Sequence, residues 1–291
     1  MTVISVEGPE RPGIPLLLDS PHSGTDYPND FRPLVDASRY RRAEDMDVDA
    51  LFGAAPSLGV PLLKALFPRV YVDVNRALAD ISPDAIAPPL PFVPLPSAKA
   101  RLGKGVIWTD APPLPPEMGT DGGATPLYDA PLPGPEVARR LSTCWTPYRR
   151  RLADLLDGIH EAHGRAFYLD CHSMQSVSTA MHEEGAGKPR PDVVLGDRDG
   201  SSCDPAYTAL VKRLLEAEGF AVSVNDPYKG ADLTIANGRP AEGYHALQIE
   251  LRRDLYMDEV TLERNDRFEE TRDKLTRMLE GLVGALRADD L

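Results

Sequence analysis

The stretch Ala166-Phe167-Tyr168-Leu169-Asp170-Cys171-His172-Ser173-Met174 carries an apolar run straight into polar sequence. Such a run reads as a strand buried on both faces of a parallel or mixed sheet. In open α/β sheets, ligands bind in the crevice at the carboxyl ends of strands, so His172 is expected at a site. The chain repeats the device twice: Ile14 to Leu18 stops at Asp19-Ser20-Pro21-His22-Ser23-Gly24, and Leu247-Gln248-Ile249-Glu250 ends on a carboxylate. Further strands are expected at Pro61 to Leu66, Val70 to Val74, Val193 to Leu195 and Ala221 to Val224. In Val70 to Val74 the valines alternate with Tyr71 and Asp73, which predicts one apolar and one polar face.

Helical spacing appears in four places. An acid-led helix is expected after Glu44-Asp45-Met46-Asp47-Val48-Asp49, ending near Gly59. From Glu136 to His163 apolar residues recur every three or four positions, and Gly164 is the expected stop. Tyr207 to Glu218 follows Asp204-Pro205, and the segment from about Asp258 to Ala288 carries Leu275, Met278, Leu279, Leu282, Val283 and Leu286 as a core stripe. Between these elements, residues 81–135 hold 14 of the 29 prolines. That density excludes regular helix and central strand, so a long loop or lid over the site is expected within one catalytic domain spanning 1–291.

Composition narrows the function classes. A net charge of −13 argues against a nucleic-acid groove, and an apolar fraction of 42% is enough to build a sizeable core. Cys144, Cys171 and Cys203 form no zinc-finger or disulfide pattern, which points to a reducing cytoplasm. The N-terminus lacks the regions of a signal peptide, and no apolar run reaches the ~18 residues of a membrane span.

The chemistry-bearing residues are scattered. A catalytic zinc site takes three ligands of the His/His/carboxylate kind and keeps a position open for water. His22, His172 and one of Asp45, Asp47 or Asp49 meet that need, with Glu250 as the base that handles the water's proton. Cys171 reads as a small buried apolar residue, because neighbours on a strand point to opposite faces and it cannot pair with His172. His160 and His163 read as helix-end residues. Arg76, beside Asn75, suits a bidentate grip on a carboxylate.

Six blocks, in order, resemble the N-formylglutamate amidohydrolase family: Ser20-Pro21-His22-Ser23-Gly24; Asp45-Met46-Asp47-Val48-Asp49; Val72-Asp73-Val74-Asn75-Arg76; Asp170-Cys171-His172-Ser173; Asn225-Asp226-Pro227-Tyr228-Lys229-Gly230; and Gln248-Ile249-Glu250-Leu251 with Tyr256-Met257-Asp258-Glu259. The family looks related to the zinc carboxypeptidase and aspartoacylase group. The resemblance implies an α/β fold with a mixed, mostly parallel sheet flanked by helices, and hydrolysis of an N-acyl amino acid. N-formyl-L-glutamate, giving formate and L-glutamate, is the named reaction. Thr25 occupies the place where carboxypeptidases carry a ligand glutamate, so the carboxylate ligand falls to Asp45, with Asp47 as runner-up. The resemblance further implies one zinc per chain held by His22, Asp45 and His172, and one substrate carboxylate held by Arg76 with Asn75. Lys229 or Arg252 is expected to meet a second carboxylate. Two alternatives stand beside this reading: a hydrolase of another N-acyl amino acid, and a non-catalytic small-molecule-binding homologue.

Overall fold

The computed structural model describes residues 2–90, 92–118, 123–183 and 185–288. Seven strands form its main sheet: β1 Ile4–Glu7, β2 Leu16–Ser20, β3 Leu62–Ala65, β4 Ala166–Met174, β5 Val193–Gly196, β6 Val222–Val224 and β7 Tyr244–Arg252. They lie in the order β1-β3-β2-β4-β7-β5-β6. Four of the six pairings are parallel; β1 with β3 and β7 with β5 are antiparallel. Helices α1 Val48–Leu51, α2 Gly134–Arg140, α3 Thr146–His163, α4 Pro205–Ala217, α5 Asp232–Asn237 and α6 Phe268–Arg287 surround the sheet.

The apolar runs at the centre are explained by burial on both sides. Leu16, Leu18, Leu169 and Cys171 enter one apolar layer with residues of α1, α4 and α6. Leu17 and Tyr168 enter the other, with Tyr148, Leu152 and Leu156 of α3. The period of two along each strand divides its side chains between the layers. Helix α3 continues α2 through a wider turn at Leu141–Trp145 and stops at Gly164 in the left-handed conformation. The Asp204 side chain accepts the Ala206 N–H and, with Pro205, starts α4.

Several expectations are corrected. Val70 to Val74 is no strand: the Tyr71 and Val72 N–H groups turn back to the Pro68 carbonyl, and Tyr71 is buried with the valines. The proline starts a turn, and the apolar residues are covered by the proline-rich segment instead of alternating across a sheet. The acid-led helix breaks into α1 and a tight turn at Ala55–Leu58 that ends at Gly59. Strand β4 runs on to Met174, so His172 stands within it. Helix α6 starts at Phe268 because Asp258 instead caps a turn, accepting from Val260 and Thr261 N–H.

The 81–135 segment has small elements of its own. Ile86–Ala87 pairs with Leu132–Pro133, Asp110–Ala111 pairs with Thr125–Pro126, and Ala98–Arg101 makes one helical turn. Val106, Ile107, Trp108 and Leu127 from it are buried in the second layer.

Two glycines fix loops at the carboxyl end of the sheet. A Cβ on Gly24 would stand 2.4 Å from the Leu66 carbonyl carbon, and one on Gly196 would stand 2.4 Å from the Gly230 nitrogen. Only glycine lets the loop bearing His22 lie against the exit of β3, or the Asn225–Gly230 loop lie against β5.

Candidate metal centre and its pocket

His22 enters from the loop after β2, His172 from β4 and Asp45 from the chain before α1. The Asp45 N–H is bonded to the His22 carbonyl at 3.0 Å, which ties these two residues together. All three side chains are buried. His22 Nδ1 and His172 Nδ1 are 3.1 Å apart, and lie 3.2 and 3.0 Å from Asp45 Oδ2. Among the described residues, this is the group of histidine, cysteine and carboxylate side chains close enough to hold a metal ion. Asp47 is turned away, paired with Arg264, and Asp49 faces Lys64.

The outer nitrogens explain why the inner ones converge. His22 Nε2 lies 2.7 Å from Asp73 Oδ1, and His172 Nε2 lies 2.7 Å from Asp170 Oδ1. A neutral imidazole carries one proton, and a carboxylate at Nε2 keeps it there, leaving the Nδ1 lone pair free. Two such lone pairs and a carboxylate oxygen facing one point repel one another unless a cation stands among them. A tetrahedral ion with bonds of about 2.0–2.1 Å sets its ligand atoms roughly 3.3 Å apart, close to the spacing present. The donor set therefore fits a divalent ion. Burial would lower the His172 pKa, but Asp170 and Asp45 hold it well above the usual value.

The supporting charges were not legible from sequence. Burial alone would raise the Asp45 pKa, yet Arg69 and the two imidazoles hold it well below the usual carboxylate range. Arg253 Nη2 bonds Asp45 Oδ1 at 3.0 Å and Arg69 Nη1 is 3.5 Å from the same oxygen, so Oδ2 is left for the centre. Arg69 also bonds Asp73 Oδ2 at 2.9 Å, where the Trp108 N–H joins it. Asn75 has a positioning part here: its Nδ2 donates to Asp170 Oδ2, lies 2.9 Å from His172 Nε2, and its Oδ1 accepts the Leu233 N–H. Replacing Asp73 with Ala is expected to weaken binding of a divalent metal about 10–100-fold, read by competition with a chromophoric chelator. Unchanged affinity would mean that Asp73 does not orient His22.

A cavity of about 710 Å³ opens above the centre. Eight lysine and arginine side chains line it against four carboxylates, in a chain whose net charge is −13. Glu250 is in its wall, directly opposite His172 in the β4–β7 register. Burial pushes the Glu250 carboxyl up to about 7, and Gln248 Nε2 donates to its Oε1 at 2.8 Å. Arg76 also lines the cavity, with Nε and Nη1 bonded to the carbonyls of Lys104 and Asn75.

The two cations expected at a second carboxylate fare differently. Lys229 lines the cavity, but its amine is paired with Asp199 at 2.8 Å. Arg252 is corrected: it lies outside the lining, drawn off by Asp192, Asp254 and the Arg190 carbonyl. The next residue, Arg253, reaches the centre, because the strand ends at Arg252 and the following turn reverses the alternation.

Fold and site together define a class: an α/β protein whose sheet gathers two carboxylate-backed histidines and an aspartate around one point, with a half-buried glutamate alongside. The model of the N-formylglutamate amidohydrolase family matches residues 14–257. The chain is 31% identical to the N-formylglutamate deformylase of Pseudomonas aeruginosa over 284 residues, covering 94% of each. It is 30% identical to the Pseudomonas putida protein of the same name, covering 93% of this chain and 92% of that one. The crystal structure of N-formylglutamate amidohydrolase from Ralstonia eutropha superposes with a TM-score of 0.89 at 40% identity, over 99% of this chain and all of that one. This chain belongs to the N-formylglutamate amidohydrolase family.

Proposed function

We propose that the chain hydrolyses the amide bond of N-formyl-L-glutamate to formate and L-glutamate. The observation that carries this reading is the convergence of His22, Asp45 and His172 beside Glu250 on the floor of a cation-rich cavity. The names of its relatives support the substrate. His22 Nδ1, Asp45 Oδ2 and His172 Nδ1 would hold one zinc ion, the metal that two neutral imidazoles and a carboxylate suit. Bound there, the ion supplies Lewis acidity toward the amide carbonyl and acidifies a water.

Glu250 would take a proton from the attacking water as the water oxygen bonds to the formyl carbon, and would give that proton to the amide nitrogen as the C–N bond breaks. A carboxyl near pH 7 both accepts and returns a proton at neutral pH. Arg76, its fork fixed by two carbonyls, holds the substrate α-carboxylate. The whole chain acts as one catalytic domain, with segment 81–135 as cover over the cavity. The cytoplasm is the proposed compartment, supported by three free, buried cysteines. No helix among the described residues is long and apolar enough to cross a membrane.

The test is bound metal together with formate release. Purified protein is expected to carry about one zinc per chain, to lose formate release on chelation and to regain it with added zinc. Release that survives complete removal of metal would overturn the metal's part, and a zinc-loaded protein that is silent toward N-formyl-L-glutamate would overturn the substrate.

A further inference from the structure

A dicarboxylate substrate needs two cationic contacts, and most cations around the cavity are already committed. Arg69 and Arg253 hold Asp45 and Asp73, Lys229 pairs with Asp199, and the Lys104 amine bonds the Met181 carbonyl. Lys99 is different. It lines the cavity, and its amine has no hydrogen-bond or ion-pair partner among the described residues.

Its backbone, by contrast, is anchored. The turn Ala98–Arg101 is capped by Ser97, whose own N–H and hydroxyl are held by the Asp80 carboxylate at 2.7 and 3.0 Å. Ala100, beside it, is buried. The nearby Arg76 guanidinium, and then burial, press the Lys99 amine down to about 8. Arg76 and Lys99 thus repel one another, a repulsion that the Glu250 and Glu183 carboxylates offset in part and that a ligand's negative charge would relieve further.

We propose that Lys99 is a specificity-determining residue that reads the side-chain carboxylate of the substrate, so that the site selects N-acyl derivatives of dicarboxylic amino acids over their side-chain amides. The assignment rests on the hydrolase reading above for the place of the scissile amide. The α-carboxylate is one carbon away from that amide nitrogen, so it must be read close to the centre. Arg76 is there, next to Asn75 and hence His172. The side-chain carboxylate extends farther, toward a wall supplied by a separate segment, which is where Lys99 stands.

The experiment compares zinc-loaded wild type, K99M and K99R on N-formyl-L-glutamate, N-formyl-L-glutamine and the α-amide of N-formyl-L-glutamate. Calorimetry of L-glutamate and L-glutamine binding to the same proteins accompanies it. Wild type is expected to favour the glutamate derivative over the glutamine derivative by about 10–100-fold, the worth of a charged hydrogen bond. In K99M the two kcat/KM values converge because KM for the glutamate derivative rises, while discrimination against the α-amide persists; K99R restores part of the preference.

A wild-type ratio retained in K99M overturns the proposal. Equal kcat losses on both substrates also overturn it, placing the effect of Lys99 on Glu250. If wild type releases no formate yet binds L-glutamate over L-glutamine, and K99M loses that preference, the deformylase reading fails and the role of Lys99 stands.

Discussion

Glu250→Gln is expected to lower kcat about 10²–10⁴-fold while the purified protein keeps its zinc. Glutamine preserves the size of the side chain and its contact with Gln248 but cannot accept the water's proton. Glu250 is not among the three residues that could hold the metal, so metal content is the control that separates a lost base from a lost centre. The pH profile gives a second readout. The base must be ionised to act, so wild-type kcat falls as acid protonates it. Burial sets the carboxyl at about 7 in the metal-free chain, and a nearby cation draws it down, so the acid limb is expected at or below pH 7. That limb is expected to vanish from the residual rate of the variant.

The sign of the linkage adds a stability effect. A carboxyl raised from 4.5 to about 7 favours the fold while protonated, and loses that contribution as pH rises through the folded value. At pH 8 the metal-free variant should therefore melt no lower than wild type. Wild-type turnover in Glu250→Gln would remove Glu250 from the mechanism.

Asp45→Asn should abolish stoichiometric zinc binding and destabilise the metal-free protein by about 3–5 kcal/mol. Arg253 and Arg69 converge on Asp45 Oδ1, and taking away the shared anion leaves buried positive charge poorly compensated. Asparagine can keep its oxygen toward the guanidinium groups and donate its NH₂ to the imidazole lone pairs, but it supplies no negative charge to either and leaves no lone pair for the ion. Asp47→Asn is the matched control. Asp47 has φ 62 and pairs with Arg264 near the surface, and asparagine tolerates that backbone conformation. It should keep its zinc. Equal zinc content in the two variants would mean that Asp45 is no ligand.

Much of the sheet was legible because buried parallel strands announce themselves as uninterrupted apolar runs, and polar residues where those runs end carry the chemistry. That pattern singled out His22, His172 and Glu250, and the fold gathers all three at one cavity. The acidic run before α1 limited the carboxylate to three residues, but only the left-handed turn at Asp47, which sends that side chain outward, distinguishes them in space. Arg69, Arg253 and Lys99 stayed hidden because a charged side chain in a turn has no period. One residue at a strand's end decides whether an arginine faces solvent, as Arg252 does in part, or the core, as Arg253 does. Asp73 misled for a related reason: alternation with valines imitates a strand, whereas Pro68 bends the chain into a turn that carries Asp73 to His22.

The register that sets Glu250 opposite His172 has a consequence for how such a protein can diversify. Adjacent strands lie about 4.8 Å apart, a spacing held by the backbone and indifferent to side chains. The interval between Glu250 and His172 is thus a ruler built into two neighbouring strands, whereas the cations that line the cavity come largely from loops and the proline-rich segment. Substitution in those walls can exchange one amino acid substrate for another while the measured interval stays the same.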